Sequence, residues 1–196
     1  MPTDFITVVS GLPRSGTSMM MQMLVAGGMP AVSDGLRAAD ADNPRGYFEL
    51  EAVKKLKTDS AWLTGARGHA VKVISMLLYE LPADHEYRVI FMLRDMDEIL
   101  ASQKEMLKRR GSAGTDSGDA AMRQHLEAHL KKVQAWLAAR KNFRVLYCEH
   151  RELLRAPAEQ ARRIGEFLGI RLDEQAMVNA IDPSLHRNRV GDARRA

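Results

Sequence analysis

The segment Gly11-Leu-Pro-Arg-Ser-Gly-Thr-Ser18 lies between an apolar run, Phe5-Ile-Thr-Val-Val9, and a helical pattern that begins at Thr17. Glycine lets a backbone curl where a Cβ would clash. The N–H groups of Ser15, Gly16, Thr17 and Ser18, together with the positive end of the helix dipole, then face one anion. The chemistry this predicts is phosphate binding; the bland alternative is a tight strand-to-helix turn with no ligand. Further along, Arg94 ends the apolar run Val89-Ile-Phe-Met-Leu93. Asp95-Met-Asp-Glu98 reads as a capping box that opens a helix and places Ser102 about two turns into it. An Arg at a strand end and a Ser on the next helix can converge on a second phosphate, whereas the plain alternative is a surface Arg–Asp pair beside a solvated Ser.

Strand, glycine loop and helix follow in the order a nucleotide-binding loop requires, and Gly-x4-Gly matches the Walker A spacing. Thr17, however, stands where a Lys would grip β- and γ-phosphates, and Arg14 lies inside the loop instead. A kinase or nucleoside triphosphatase would use Asp95 as a Walker B carboxylate for magnesium. That reading lacks its Lys, and Arg94 intervenes between the apolar run and the Asp.

These residues must be positioned by alternating elements. Apolar, β-branched runs predict strands at Phe5–Val9, Ala70–Ile74, Tyr87–Leu93 and Phe143–Tyr147. Helical spacing predicts helices over Thr17–Ala26, Leu50–Trp62, Met96–Arg109, Ala120–Arg140, Pro157–Leu168 and Asp173–Ala180. The alternation implies an α/β fold, a three-layer arrangement of a mainly parallel sheet with helices on both faces. At 196 residues the chain is expected to be a single domain, with a flexible loop around 110–120 at Gly111-Ser-Ala-Gly-Thr-Asp-Ser-Gly118 and a basic tail over 182–196.

With these elements in place, a resemblance emerges. Leu12-Pro-Arg-Ser-Gly-Thr-Ser18 resembles the 5′-phosphosulfate loop of the sulfotransferases, which use 3′-phosphoadenosine 5′-phosphosulfate (PAPS) as sulfuryl donor. Asn43-Pro-Arg-Gly-Tyr-Phe-Glu49, Val89-Ile-Phe-Met-Leu-Arg-Asp95 followed by Ser102, and Glu166-Phe-Leu-Gly169 stand in the order seen in bacterial members. The resemblance spans nearly the whole chain and implies a P-loop NTPase-like sulfotransferase fold. It also implies in-line transfer of a sulfuryl group from PAPS to an acceptor hydroxyl, leaving 3′,5′-adenosine bisphosphate (PAP) and needing no metal.

The resemblance also implies roles. Arg14, Ser15, Gly16, Thr17 and Ser18 would hold the 5′-phosphosulfate, and Arg94 and Ser102 have the family spacing for the 3′-phosphate. Arg14 takes the position where many cytosolic members carry a Lys against the bridging oxygen, and Lys72, in Val71-Lys-Val-Ile74, would join it in stabilising developing charge. Cytosolic animal members place a catalytic His two residues after the corresponding Lys, and here that residue is Ile74. Other branches use a Glu between the first helix and the second strand, which makes Glu49 the leading base, with Asp34 and His69 in reserve. A plain alternative for Glu49 is helix-dipole complementation. Met19 stands where a Trp often stacks the adenine, and His150-Arg-Glu152 replaces a Tyr-Glu-Asp segment. Leu185-His-Arg-Asn-Arg-Val-Gly-Asp192 loosely resembles the segment that closes over the 3′-phosphate, so Arg187 and Arg189 are further donor contacts.

Other features carry less. His125 and His129, four apart on a helix, lack the His-Glu-x-x-His arrangement of zinc hydrolases. Cys148, the lone cysteine, excludes a disulfide framework, and it reads as a buried apolar residue. Net charge is +4, but the basic residues are scattered and aromatics make up 6%, which argues against a nucleic-acid partner. No run is long enough for a membrane helix, and the N-terminus shows no charged signal-peptide region, so a cytoplasmic location is expected. A chain this short leaves little room for an acceptor lid, which raises a homo-oligomer, or a carrier-bound or macromolecular acceptor, as a hypothesis. A nucleotide-binding protein without turnover is the remaining alternative.

Overall fold

The structure is a computed structural model that describes residues 3–36, 46–109, 111 and 119–182. Its β-branched runs form β1 (Phe5–Gly11), β2 (Ala70–Lys72), β3 (Glu86–Leu93) and β4 (Phe143–Glu149). The strands pair in parallel in the order β2-β1-β3-β4. Both faces of such a sheet must be covered, which is why β1 is buried at every residue and reads as a continuous apolar run.

The pleat sorts side chains between two layers. Val9, Ala70, Ile90 and Met92 face α1 (Thr17–Ala26), whose Met20, Met21, Met23 and Leu24 are fully buried. The same layer holds α4 (His150–Arg155), α5 (Pro157–Leu168) and α6 (Glu174–Asn179). On the opposite face Ile6, Val8, Tyr87, Val89 and Phe91 pack against α3 (Asp119–Ala138) and three short 3-10 helices, at Glu51–Lys55, Ala61–Ala66 and Ser75–Glu80. Leu12, Ile99 and Leu126 join α2 (Met96–Arg109) to α3 over the phosphate loop. Arg88 closes α5 from below the sheet: its guanidinium lies 3.9 Å over the Phe5 ring and donates to the Phe167 and Leu168 carbonyls. Those are orphan acceptors at a helix C-terminus, where a cation is also favoured.

Three expectations change. The helix expected over Leu50–Trp62 is instead two 3-10 helices separated near Thr58-Asp59-Ser60. Thr58 Oγ1 donates to the Lys55 carbonyl and Asp59 Oδ1 accepts from the Ala61 N–H, local bonds that compete with a continuous helix. Strand β2 stops at Lys72 rather than Ile74, because the chain turns there into the Ser75–Glu80 helix, which the sequence reading missed along with α4. Helix α3 ends at Ala138, short of the expected Arg140. Of the loop expected around 110–120, residues 110 and 112–118 lie outside the described residues, and 119–120 open α3; of the tail expected over 182–196, residues 183–196, with the candidates Arg187 and Arg189, also lie outside them.

His129, the second of the two histidines four apart, is half-buried where α3 meets the Ser75–Glu80 helix. Its Nε2 lies 2.9 Å from the Oγ of the buried Ser75, and its ring meets Tyr79 edge-on. Burial lowers its pKa below the usual 6.5, and the nearby His125 and Lys132 charges act in the same direction. The unfolded chain therefore binds a proton that the folded chain resists. Stability that is fully present above about pH 6.5 is lost as pH falls through the folded-state value. We expect the melting temperature to fall more steeply between about pH 7 and pH 5 in the wild type than in His129→Gln; parallel curves would exclude His129 as the source.

Candidate active site

The chain runs from β1 through α1 to β2 on one side of β1, then crosses back to β3 on the other. The connections leaving the carboxyl ends of β1 and β3 therefore diverge, and ligands of open α/β sheets bind in the crevice at such a switch point. A cleft of about 450 Å³ opens there, lined by the phosphate loop, the start of α1, the end of β2, Arg94 and the face of α2.

The loop after β1 is shaped by three residues with left-handed backbone, Gly11 (φ 148), Arg14 (φ 71) and Gly16 (φ 100). A Cβ at Gly11 would lie 2.4 Å from Ser15 Oγ and 2.7 Å from the Met92 carbonyl oxygen, so this close approach between β1's end and β3 demands glycine. At Gly16 a Cβ would come within 2.7 Å of His150 Cδ2. Gly16 is the N-cap of α1, and first-turn N–H groups of a helix lack intrahelical acceptors, so those at Gly16, Thr17 and Ser18 are placed where an anion could accept from them. Ser15 sits differently. Its N–H donates to the Leu12 carbonyl at 3.1 Å, and its hydroxyl is buried against Gly11 rather than lining the cleft.

The second phosphate candidates meet the first through Arg14. Arg14 Nε donates to Ser102 Oγ at 2.9 Å, and Arg94 donates one guanidinium N–H to the Arg14 carbonyl at 3.1 Å. Arg94 Nε pairs with Glu98 at 2.9 Å, with both side chains nearly buried. The capping box is thus half formed. Asp95 Oδ1 accepts from the Asp97 and Glu98 N–H groups at 2.9 and 3.2 Å, while the Glu98 carboxylate turns to Arg94 instead of reaching back. An Asp95 occupied as a helix cap is a poor magnesium ligand, and no group of acidic, His or Cys side chains able to hold a metal occurs among the described residues.

Lys72 ends β2 on the face of the sheet that carries α1. Its Nζ donates to Ser18 Oγ at 3.2 Å and to the Tyr47 carbonyl at 2.9 Å, and lies 3.8 Å from Glu49 Oε1. The Lys72 side chain is 9% exposed, so its charge acts in a poorly solvated setting where electrostatic effects are strong. Gly46 (φ 89) and Phe48 (φ 51) turn the segment that leads to Glu49 sharply. A bulky residue at positive φ is uncommon and costs on the order of 1–3 kcal/mol. Here the turn brings the Tyr47 carbonyl and the Glu49 carboxylate to the same ammonium group.

The reserve bases lie elsewhere. Asp34 is outside the cleft, where its carboxylate accepts from the Leu36 and Glu51 N–H groups at 3.0 and 2.6 Å; those bonds hold its pKa below the usual carboxylate value. His69 precedes β2 at the opposite end of the sheet, its Nδ1 2.9 Å from the Arg67 carbonyl. Cys148 is buried, and burial pushes its thiol pKa up to about 11, unsuited to a nucleophile. His150, which opens α4 at the end of β4, lines the cleft and was not among the candidates. Its signal was position alone, at the carboxyl edge of a strand.

Replacing Gly11 by Ala should destabilise the protein by about 2 kcal/mol or more, since the added methyl meets the Met92 backbone carbonyl as well as the Ser15 hydroxyl, and the backbone cannot swing away. Thermal unfolding checks this, and an unchanged melting temperature would mean the loop is not packed as described.

The sequence profile described as the Sulfotransferase family matches residues 46–174. No curated protein matches the chain in sequence. Among solved structures it is similar to the sulfotransferase domain of the Synechococcus PCC 7002 olefin synthase, with 16% identity over 98% of this chain and 82% of that one and a TM-score of 0.54. It is similar to sulfotransferase STF1 from Mycobacterium tuberculosis H37Rv, with 16% identity over 91% of this chain and 72% of that one and a TM-score of 0.58. It is also similar to mouse sulfotransferase SULT7A1 complexed with PAP, with 15% identity over 96% of this chain and 76% of that one and a TM-score of 0.54. At these identities the likeness establishes the fold, and the profile establishes the rest: the chain belongs to the sulfotransferase family and is an enzyme of sulfuryl transfer.

Proposed function

We propose that the enzyme takes its sulfuryl group from PAPS, with donor and acceptor meeting between Arg14 and Lys72. The observation that carries this reading is the convergence, in one cleft at the switch point, of a helix N-terminus, three cations (Arg14, Lys72, Arg94) and one carboxylate beside Lys72. That donor set fits a ligand with two separate phosphate groups. The mouse relative crystallised with PAP supports it.

In this reading the N–H groups and hydroxyls of Thr17 and Ser18 hold the 5′-phosphosulfate, while Arg94 and Ser102 hold the 3′-phosphate. Arg187 and Arg189 of the basic tail are assigned to the same phosphate by resemblance. When bound, PAPS supplies a sulfuryl group whose bond to the 5′-phosphate oxygen is exchanged for one to the acceptor oxygen. Lys72 and Arg14 stabilise the negative charge that gathers on the group in flight and on the departing oxygen. Glu49 takes the proton of the acceptor hydroxyl, and its place beside Lys72 sets it within the region where that hydroxyl must approach. The reading also includes a single sulfotransferase domain over 1–196 and a cytoplasmic location; the lone buried cysteine supports the second, and no helix among the described residues is long and apolar enough to cross a membrane.

Calorimetry without magnesium tests the donor. PAP should bind more tightly than ADP or ATP, and Arg94→Ala should weaken it by about 2 kcal/mol, the loss expected for a charged hydrogen bond. A preference for ATP that appears only with magnesium would overturn the reading.

Steady-state kinetics test the base. Glu49→Gln should lower kcat by roughly 10²- to 10⁴-fold while PAP affinity stays near wild type. A kcat within a few-fold of wild type would reassign Glu49 to holding Lys72 in place.

A further inference from the structure

The two groups assigned to the transfer step each lead directly into an apolar wall. After Glu49 the chain enters the Glu51–Lys55 helix and turns Leu50 and Val53 into the cleft; after Lys72 it enters the Ser75–Glu80 helix and turns Ile74 and Leu77 into the same space. Met106 lines the cleft from α2, one turn beyond Ser102. Ile74 is 37% exposed, a large β-branched side chain at the mouth with part of its surface in water. Beside Leu50 and Val53 the wall also carries one charged residue, Lys54. Lys54 is tied to Glu51 at 2.5 Å, so the pair presents little net field to an incoming ligand.

A polyhydroxylated acceptor needs several convergent hydrogen-bonding groups around its ring, because each polar group it buries without a partner costs about 1–3 kcal/mol. The described wall next to Lys72 and Glu49 offers mostly methyl and methylene groups. An uncharged alcohol with an apolar alkyl or aryl body matches that wall. Its body removes Ile74, Leu77, Leu50 and Met106 from water, while its hydroxyl lies at the polar end of that wall, beside the Glu49 carboxylate and the Lys72 ammonium.

We infer that the acceptor is an uncharged, apolar-bodied alcohol, selected by the wall of Leu50, Ile74, Leu77 and Met106. This inference rests on the reading of the Lys72–Glu49 end as the point of transfer. In the step, the acceptor oxygen forms a bond to sulfur, the bond from sulfur to the 5′-phosphate oxygen breaks with its electron pair staying on that oxygen, and the hydroxyl proton passes to Glu49. Ile74, two residues after Lys72, then acts as a specificity residue.

The test is a ladder of linear primary alcohols from ethanol to octanol, assayed with saturating PAPS beside glucose, with PAP affinity measured separately by calorimetry. The value of kcat/KM should rise about fourfold per methylene until the wall is covered, as full burial of each CH₂ requires. Ile74→Ser and Leu77→Ser should flatten that slope and leave PAP affinity at the wild-type value. Ile74→Ser is the safer variant for folding, given its partial exposure. If PAP binds but the slope stays below about 1.5-fold per methylene, or glucose outpaces every alcohol, the apolar acceptor is wrong while the donor reading stands. If wild-type protein fails to bind PAP, the donor reading falls and the acceptor inference falls with it.

Discussion

Strand β1 is paired in parallel on both edges, with β2 on one side and β3 on the other, and the site depends on that double pairing. The register Val9↔Lys72 and Gly11↔Met92 brings the ends of three strands to one edge of the sheet. The loop leaving β1 must then turn over the end of β3, which explains why Gly11 meets the Met92 carbonyl so closely. The same register sets Lys72 on the α1 face, within reach of Ser18. A slip of one residue along β2 would send that ammonium group to the opposite layer, among Val71, Val73 and Leu78.

Around this edge the protein gathers cations and then holds them apart by giving each a different partner. Arg94 is turned toward Glu98, Arg14 toward Ser102, and Lys72 toward Ser18, the Tyr47 carbonyl and Glu49. Buried charge pairs of this kind contribute little to folding, since desolvation offsets most of their attraction. What they provide is orientation. Charges arranged in advance in a poorly solvated cleft need not reorganise when negative charge develops, which is where most of an enzyme's electrostatic stabilisation resides. Among the described residues, the two non-glycine positions with left-handed backbone, Arg14 and Phe48, both belong to this arrangement. Strain placed beside functional groups and supported by the surrounding core is the pattern expected of an active site.

The wall beyond Lys72 follows from the same geometry. Once β2 ends at Lys72, the chain is directed along the cleft, and Ile74 and Leu77 become lining rather than strand. Ile74 therefore lines the cleft rather than extending the sheet.

Local chemistry in the amino-acid sequence determined the elements with strong periodicity. β1 and β3, the helices α1, α2 and α5, and the phosphate loop between Gly11 and Ser18 could all be read, because apolar spacing and glycine placement act over a few residues. Arg14, Lys72, Arg94, Ser102 and Glu49 could be named as candidates from motif position, and the structure brings them to one edge of the sheet. What the sequence could not show was who touches whom. That Arg14 rather than Arg94 reaches Ser102, that Glu98 abandons its reciprocal cap, that Ser15 turns inward, that Asp34 and His69 stand away from the cleft, and that His150 lies under Gly16 are all decided by contacts between residues far apart in the chain. The broken segment after Leu50 has the same origin: local hydrogen bonds at Thr58 and Asp59 and burial of Val53, Leu56 and Leu63 against the sheet outweigh helix propensity. Propensity acts within a turn or two of chain, whereas side-chain pairing and burial depend on the register of β1 with its two neighbours, and that register exists only once the sheet has formed.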